Sequence, residues 1–298
     1  MTEERPQDGE AASAAEPEAE RRATAARFFL VPLLVVLTAV AVFWVFSRLT
    51  FERRTPADFL AEVRGGTANR RWQAAFELSR SLPRLDPNER AALASETLRI
   101  FKTLSPTRAE DVPVRRYLAL VLGKLGERDA VDALIAAAKD PDPDTRLYAV
   151  WALGKIGDPR SLPAVTEASF GEDAGMRKMA AYVLGRLGDR RAAERLRVLL
   201  GDPAADVRWN AAIGLASLGD PAGLPVLRSI VDRDAQARQA RLSSDQAEIA
   251  MIGALKALEL LKDRESLPLI DRVASSDPNL RVRAAAREAS EATRRSQP

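Results

Sequence analysis

Apolar residues recur through most of this chain at helical spacing, and over its middle the pattern itself recurs. Leu122-Gly123-Lys124-Leu125-Gly126 returns as Leu153-Gly154-Lys155-Ile156-Gly157, as Leu184-Gly185-Arg186-Leu187-Gly188 and as Leu215-Ala216-Ser217-Leu218-Gly219. Each step is 31 residues, and an arginine stands seven positions before each opening leucine: Arg115, Arg146, Arg177 and Arg208. Within one unit, Leu147, Val150, Trp151, Leu153 and Ile156 share one face of a first helix. Gly157 suits the left-handed cap that ends it, because it has no Cβ to clash. Asp158 can cap a second helix, Pro159 suits its first position, and Leu162, Val165 and Ala168 form its inner face. Asp140-Pro141-Asp142-Pro143 and Asp202-Pro203 break the chain between units. A fixed period of this length predicts an all-α solenoid, in which each helical hairpin buries its apolar face against its neighbours.

Aligned repeats give columns. Leu122, Leu153, Leu184 and Leu215 form an internal ridge, and Leu134, Val165, Leu196 and Leu227 supply the second-helix core. Ala119, Val150, Ala181 and Ala212 are small enough for helix layers to approach closely. Leu120, Trp151, Tyr182 and Ile213 read as a larger internal ridge, with core packing preferred over a ligand-binding aromatic box.

The period is regular over 112–232 and fails on either side. Before it, 69–111 reads as a long, divergent first unit, with Arg71 seven positions before Leu78 and a second helix from Asn88 to Leu104 after Asp86-Pro87. After it, the core Leu258 comes 43 residues beyond Leu215, which places an insert at 233–244. A last helix runs from Leu280 to about Thr293, so the solenoid spans 69–293 in about six units, and 294–298 reads as a frayed tail.

The N-terminal part is of another kind. Residues 1–27 carry seven acids, many alanines and almost no large apolar side chain, and read as a disordered acidic tail. Phe28–Phe46 has no charge in 19 residues. At helical rise that is roughly 28 Å, about one hydrocarbon core. Ala39-Val40-Ala41 resembles a signal-peptidase site, but the apolar run continues through Val42–Phe46, which favours an uncleaved transmembrane helix. Residues 47–68 read as a linker. Three arginines flank each side of the span (Arg21, Arg22, Arg27; Arg48, Arg53, Arg54), so the positive-inside rule gives no orientation. The short leading tail is placed inside and the solenoid on the periplasmic side of a bacterial inner (cytoplasmic) membrane.

Composition narrows the chemistry. The chain has no Cys and no His, which removes thiolate nucleophiles, the commonest metal ligand and the usual general base. The net charge of +3 is a weak field for a nucleic-acid binder. Leu-Gly-Lys-Leu-Gly lacks P-loop spacing. The expectation is a non-enzyme with no cofactor, metal or nucleic-acid partner.

The 31-residue helical hairpin, with its central Leu-Gly-x-Leu-Gly-Asp turn and recurring Asp-Pro…Val-Arg start, resembles the HEAT repeat, in its bacterial variety related to bilin lyases. The match is close over 112–232 and looser over 69–293. The resemblance implies a right-handed stack with first helices convex and second helices lining a concave groove. It also implies an Asp–Arg ladder between repeats, assigned here to Arg115, Arg146, Arg177 and Arg208 with Asp111, Asp142 and Asp173. Hydroxylases built on such repeats hold iron with His-Glu motifs, which this chain cannot supply. The resulting expectation is a membrane-anchored scaffold or adaptor for a protein partner. The alternative implied by the resemblance is an accessory factor for cofactor or pigment attachment. For partner contact the candidates are Arg197, Trp209, Arg228, Arg233, Arg238 and Arg241, because Arg and Trp are favoured at interface centres. A solvated face with a packed tryptophan is the competing reading.

Overall fold

A computed structural model describes residues 16–50, 54–82, 85–233 and 243–295, with the backbone only for 16–27 and 47–50. Among them are fifteen α-helices and no strand. The chain divides into two units, 1–55 and 56–298.

The first unit contains one long helix, α1 (Glu16–Thr50). It begins inside the stretch expected to be disordered, so 16–27 are helical; Ala, Glu and Arg are good helix formers and continue the apolar segment. Residues 1–15 lie outside the described residues. Phe28–Phe46 is apolar on every side, with mean hydropathy 2.7, and none of it is buried. It is long and apolar enough to cross a membrane, and it also meets the description of a signal sequence.

The second unit is an all-α solenoid of two helix layers. The first helices are α3 (Ala68–Arg80), α5 (Val112–Leu125), α7 (Pro143–Ile156), α9 (Ala174–Leu187), α11 (Ala205–Ser217), α13 (Ser244–Leu260) and α15 (Leu280–Arg295). Each packs on the next in chain order. The second layer is α4 (Pro87–Thr103), α6 (Val131–Ala137), α8 (Leu162–Ala168), α10 (Ala193–Leu199), α12 (Leu224–Val231) and α14 (Leu267–Ser276), each against the following first helix. Helix α2 (Pro56–Gly65) closes the N-terminal end against α3 and α4, burying Leu60 and Val63. Part of the expected linker 47–68 is therefore solenoid. With two buried apolar residues in ten, its periodicity is too short to read.

Leu122, Leu153, Leu184 and Leu215 are fully buried, as are Leu134, Val165, Leu196 and Leu227. The larger ridge is not: Tyr182 is 43% exposed and Leu120, Trp151 and Ile213 are half-buried. The packed column lies one residue further on, at Val121, Ala152, Val183 and Gly214. The two glycines of the first three motifs also divide their work, and in the fourth Ala216 stands in place of the earlier one. Gly126, Gly157, Gly188 and Gly219 have φ between 69° and 76°, the left-handed cap. The earlier glycine sits where first helices touch. A Cβ on Gly185 would lie 2.3 Å from the Gly214 Cα, so α9 and α11 meet backbone to backbone.

Apart from α4, with 17 residues, each second helix is only seven to ten residues long and is preceded by a 3-10 turn. In the repeat of α7 and α8, that turn is Pro159–Ser161, and Asp158 caps it by accepting from the Arg160 amide. Of the expected insert 233–244, residues 234–242 lie outside the described residues.

Candidate functional site

The evenly spaced arginines project from the start of each first helix. In full form, the guanidinium has two jobs. Arg177 donates from Nη1 to the carbonyls of Gly171 and Glu172, closing the turn before its own helix. Its other edge, Nε and Nη2, grips the Asp202 carboxylate at 2.7 and 3.1 Å, 25 residues on in the next inter-repeat turn. Arg115 does the same with the Phe101 and Leu104 carbonyls and with Asp140. Arg71 pairs with Asp111 at 2.9 Å, and Arg233 grips Asp277 through Nε and Nη2. The acids Asp111, Asp140, Asp202 and Asp277 are all buried. Asp140, Asp202 and Asp277 each also accept the amide two residues on, so one carboxylate ties its own turn and the preceding repeat.

This corrects the expected pairing. Asp111 is in the ladder, but with Arg71. Asp142 pairs with Arg116 and caps α7 through the Thr145 amide. Asp173 caps α9 through the Met176 amide. The true partners Asp140 and Asp202 were visible only as Asp-Pro chain breaks. Arg146 and Arg208 keep the carbonyl contacts, to Asp140 and Pro141 and to Asp202 and Pro203. Among the described residues neither has an ion-paired carboxylate. The positions 25 residues on are Gly171 and Arg233.

Two pairs of the ladder, Arg177–Asp202 and Arg233–Asp277, shift their own titrations. Arg177 holds the Asp202 carboxyl below the usual carboxylate range, and Asp202 raises Arg177 in return. Burial pushes Asp277 up, but the hydrogen bond from Arg233 and the Asn279 amide outweigh it, and the net shift is down. Burial lowers Arg195, whose guanidinium lies 3.7 Å over the Phe170 ring and donates to Ser169 Oγ and Ser169 O.

Four of the six residues expected to meet a partner, Arg197, Trp209, Arg228 and Arg233, have internal engagements. Trp209 is 6% exposed and packs with Ala212, Ala216 and Leu227, so it is core. Arg228 grips Asp263 and reaches Glu265 and Ser266. Arg233 is the ladder member bound to Asp277. Arg197 pairs with Asp220 but is 56% exposed at its side chain. Arg238 and Arg241 lie outside the described residues. Among the described residues no group of three His, Cys, Asp or Glu could hold a metal.

The class these features define is the α-solenoid of inter-repeat Arg–Asp ties, and comparison with known proteins agrees. A family model for HEAT repeats matches residues 103–174 and 168–244. The chain carries HEAT repeats. Its fold is similar to that of the CpcE and CpcF complex of phycocyanin lyase from Nostoc sp., at 18% identity over 82% of this chain and 96% of that one, TM-score 0.54. It is also similar to the YIBA protein of E. coli, at 16% identity over 79% of this chain and 82% of that one, TM-score 0.50. No curated protein matches the chain significantly in sequence.

Proposed function

We propose that the chain is a membrane-anchored, non-catalytic scaffold that binds a protein partner through the surface of its solenoid. The observation that carries this is the pairing of two unlike parts in one chain. One is a helix, Phe28–Phe46, apolar on all sides and unburied. The other is a HEAT-repeat solenoid in which Arg71, Arg115, Arg177 and Arg233 are committed to ion pairs with buried aspartates. Such solenoids bind through extended complementary surface. The absence of His and Cys from the sequence supports a non-catalytic reading. Exposed apolar side chains on the solenoid, among them Phe170, Val198 and Tyr182, offer contact area. In this reading the solenoid lies on the periplasmic side of a bacterial inner (cytoplasmic) membrane.

Fractionation tests the anchor. The protein is expected in the membrane fraction with its N-terminal residues intact, resistant to high salt and extracted by detergent. A soluble product beginning after Ala41 would show a cleaved signal peptide instead. Protease added to spheroplasts is expected to digest the solenoid; protection until lysis would place it inside the cell.

A further inference from the structure

Arg146 keeps half of the ladder contact and has lost the other half. Its Nη1 donates to the Asp140 and Pro141 carbonyls at 2.8 and 3.0 Å, as Arg177 does to its own turn. The Nε and Nη2 edge, which in Arg115 and Arg177 grips a carboxylate 25 residues on, has no acceptor among the described residues. The residue in the acid's place is Gly171. The space the side chain would fill is open. A Cβ built on Gly171 meets only the Ala168 carbonyl oxygen at 3.5 Å, an ordinary contact. A cavity of about 200 Å³ lies here, lined by Arg146, Gly171, Met176, Ala168 and the Lys139–Glu167 pair. Lys139 and Glu167 neutralise each other at 2.7 Å, which leaves the Arg146 guanidinium as the uncompensated charge on the wall.

A guanidinium edge presents two parallel N–H groups, the geometry that takes a carboxylate bidentately. The apolar walls from Met176 and Ala168 lower the local dielectric and strengthen that contact. The volume suits a carboxylate on a short apolar stem, not a large ligand. We propose that the Arg146–Gly171 notch is a carboxylate-binding site, in which an acid supplied from outside the chain takes the place of the missing ladder aspartate. The proposal deepens the scaffold reading and rests on it for one of its two sources: the acid is an Asp or Glu side chain of the partner, or a free small carboxylate.

The test uses the full chain in detergent and two probes: glutarate, against chloride at equal ionic strength, and a short glutamate-containing peptide, against its glutamine counterpart. Binding is read by calorimetry and by the shift in melting temperature. The wild type is expected to respond saturably to at least one carboxylate probe and not to its control. Arg146→Gln is expected to weaken that response about tenfold or more. Gly171→Asp, which rebuilds the ladder acid within the chain, is expected to abolish the response while melting no lower than the wild type. A response to the glutamate peptide alone assigns the site to a partner side chain, and a response to glutarate assigns it to a free acid. Either result supports the proposal. A folded wild type indifferent to both probes, or Gly171→Asp responding as the wild type does, overturns it. If glutarate binds but no partner is captured by crosslinking from membranes, the scaffold reading fails and the carboxylate site stands.

Discussion

Removing the guanidinium of Arg177 would leave the Asp202 carboxylate, 6% exposed, with only the Ala204 amide as donor. A charged group deprived of its strong partner keeps its desolvation cost. Arg177→Ala is therefore expected to lower stability by about 2–3 kcal/mol, read from urea melts. The pH dependence has a defined sign. Asp202 is held below its ordinary value by Arg177. Its contribution is thus complete above about pH 4 and is lost as pH falls through the lowered folded value. The gap between wild type and Arg177→Ala should be largest at neutral pH and narrow below about pH 4. A gap that widens in acid would contradict the ion pair as its source. At this scale the arginines were legible because they keep period, and their acids were not. Asp140 and Asp202 serve two turns at once, and the sequence displays only the local one, an Asp before Pro.

The helices show the same division between what is periodic and what is contact-specific. The motif Leu-Gly-x-Leu-Gly reads as a helix end, and its second glycine is one: Gly157 has φ 73°. Ala there is expected to cost about 1–2 kcal/mol in left-handed strain. The first glycine answers to a different constraint. A Cβ on Gly185 runs into the Gly214 backbone, which cannot turn aside as a side chain would. Gly185→Ala is expected to cost more than about 2 kcal/mol, despite the better helix propensity of Ala. Equal or greater stability of Gly185→Ala in urea melts would show that α9 and α11 can separate freely. The sequence does not announce this contact, because the residue that faces Gly185 is 29 positions away on another helix. The cap helix α2 was missed for a related reason. Its burial of Leu60 and Val63 is decided by α3 and α4, not by a pattern of its own.

At the scale of the whole molecule, the repeat period carried the fold class, the layer order and the second-helix core. Breaks in the period marked the long first unit, where α4 is capped by a reciprocal Asp86–Glu89 box. Three of the residues expected at a recognition surface have internal partners instead. Trp209 turned inward and Arg228 and Arg233 turned to Asp263 and Asp277, because a solenoid end needs the same ties as its middle. The anchor rests on composition alone, so it has its own prediction. Val35→Arg with Val36→Arg places two charges at mid-span, at about 2.5–3.5 kcal/mol each on insertion scales. The double variant is expected to leave the membrane fraction; retention would argue for attachment by another route.

A membrane-held solenoid that engages a protein partner should be captured together with it. Photo-crosslinking in living cells tests it most directly, with a photoreactive residue placed in turn at the exposed positions Phe170, Tyr182 and Val198. A discrete adduct with the same protein is expected from at least two of these positions, found in the membrane fraction and absent when the residue replaces the buried Leu184. Uniformly diffuse adducts, or none from any of the three in a folded and membrane-bound protein, would contradict it.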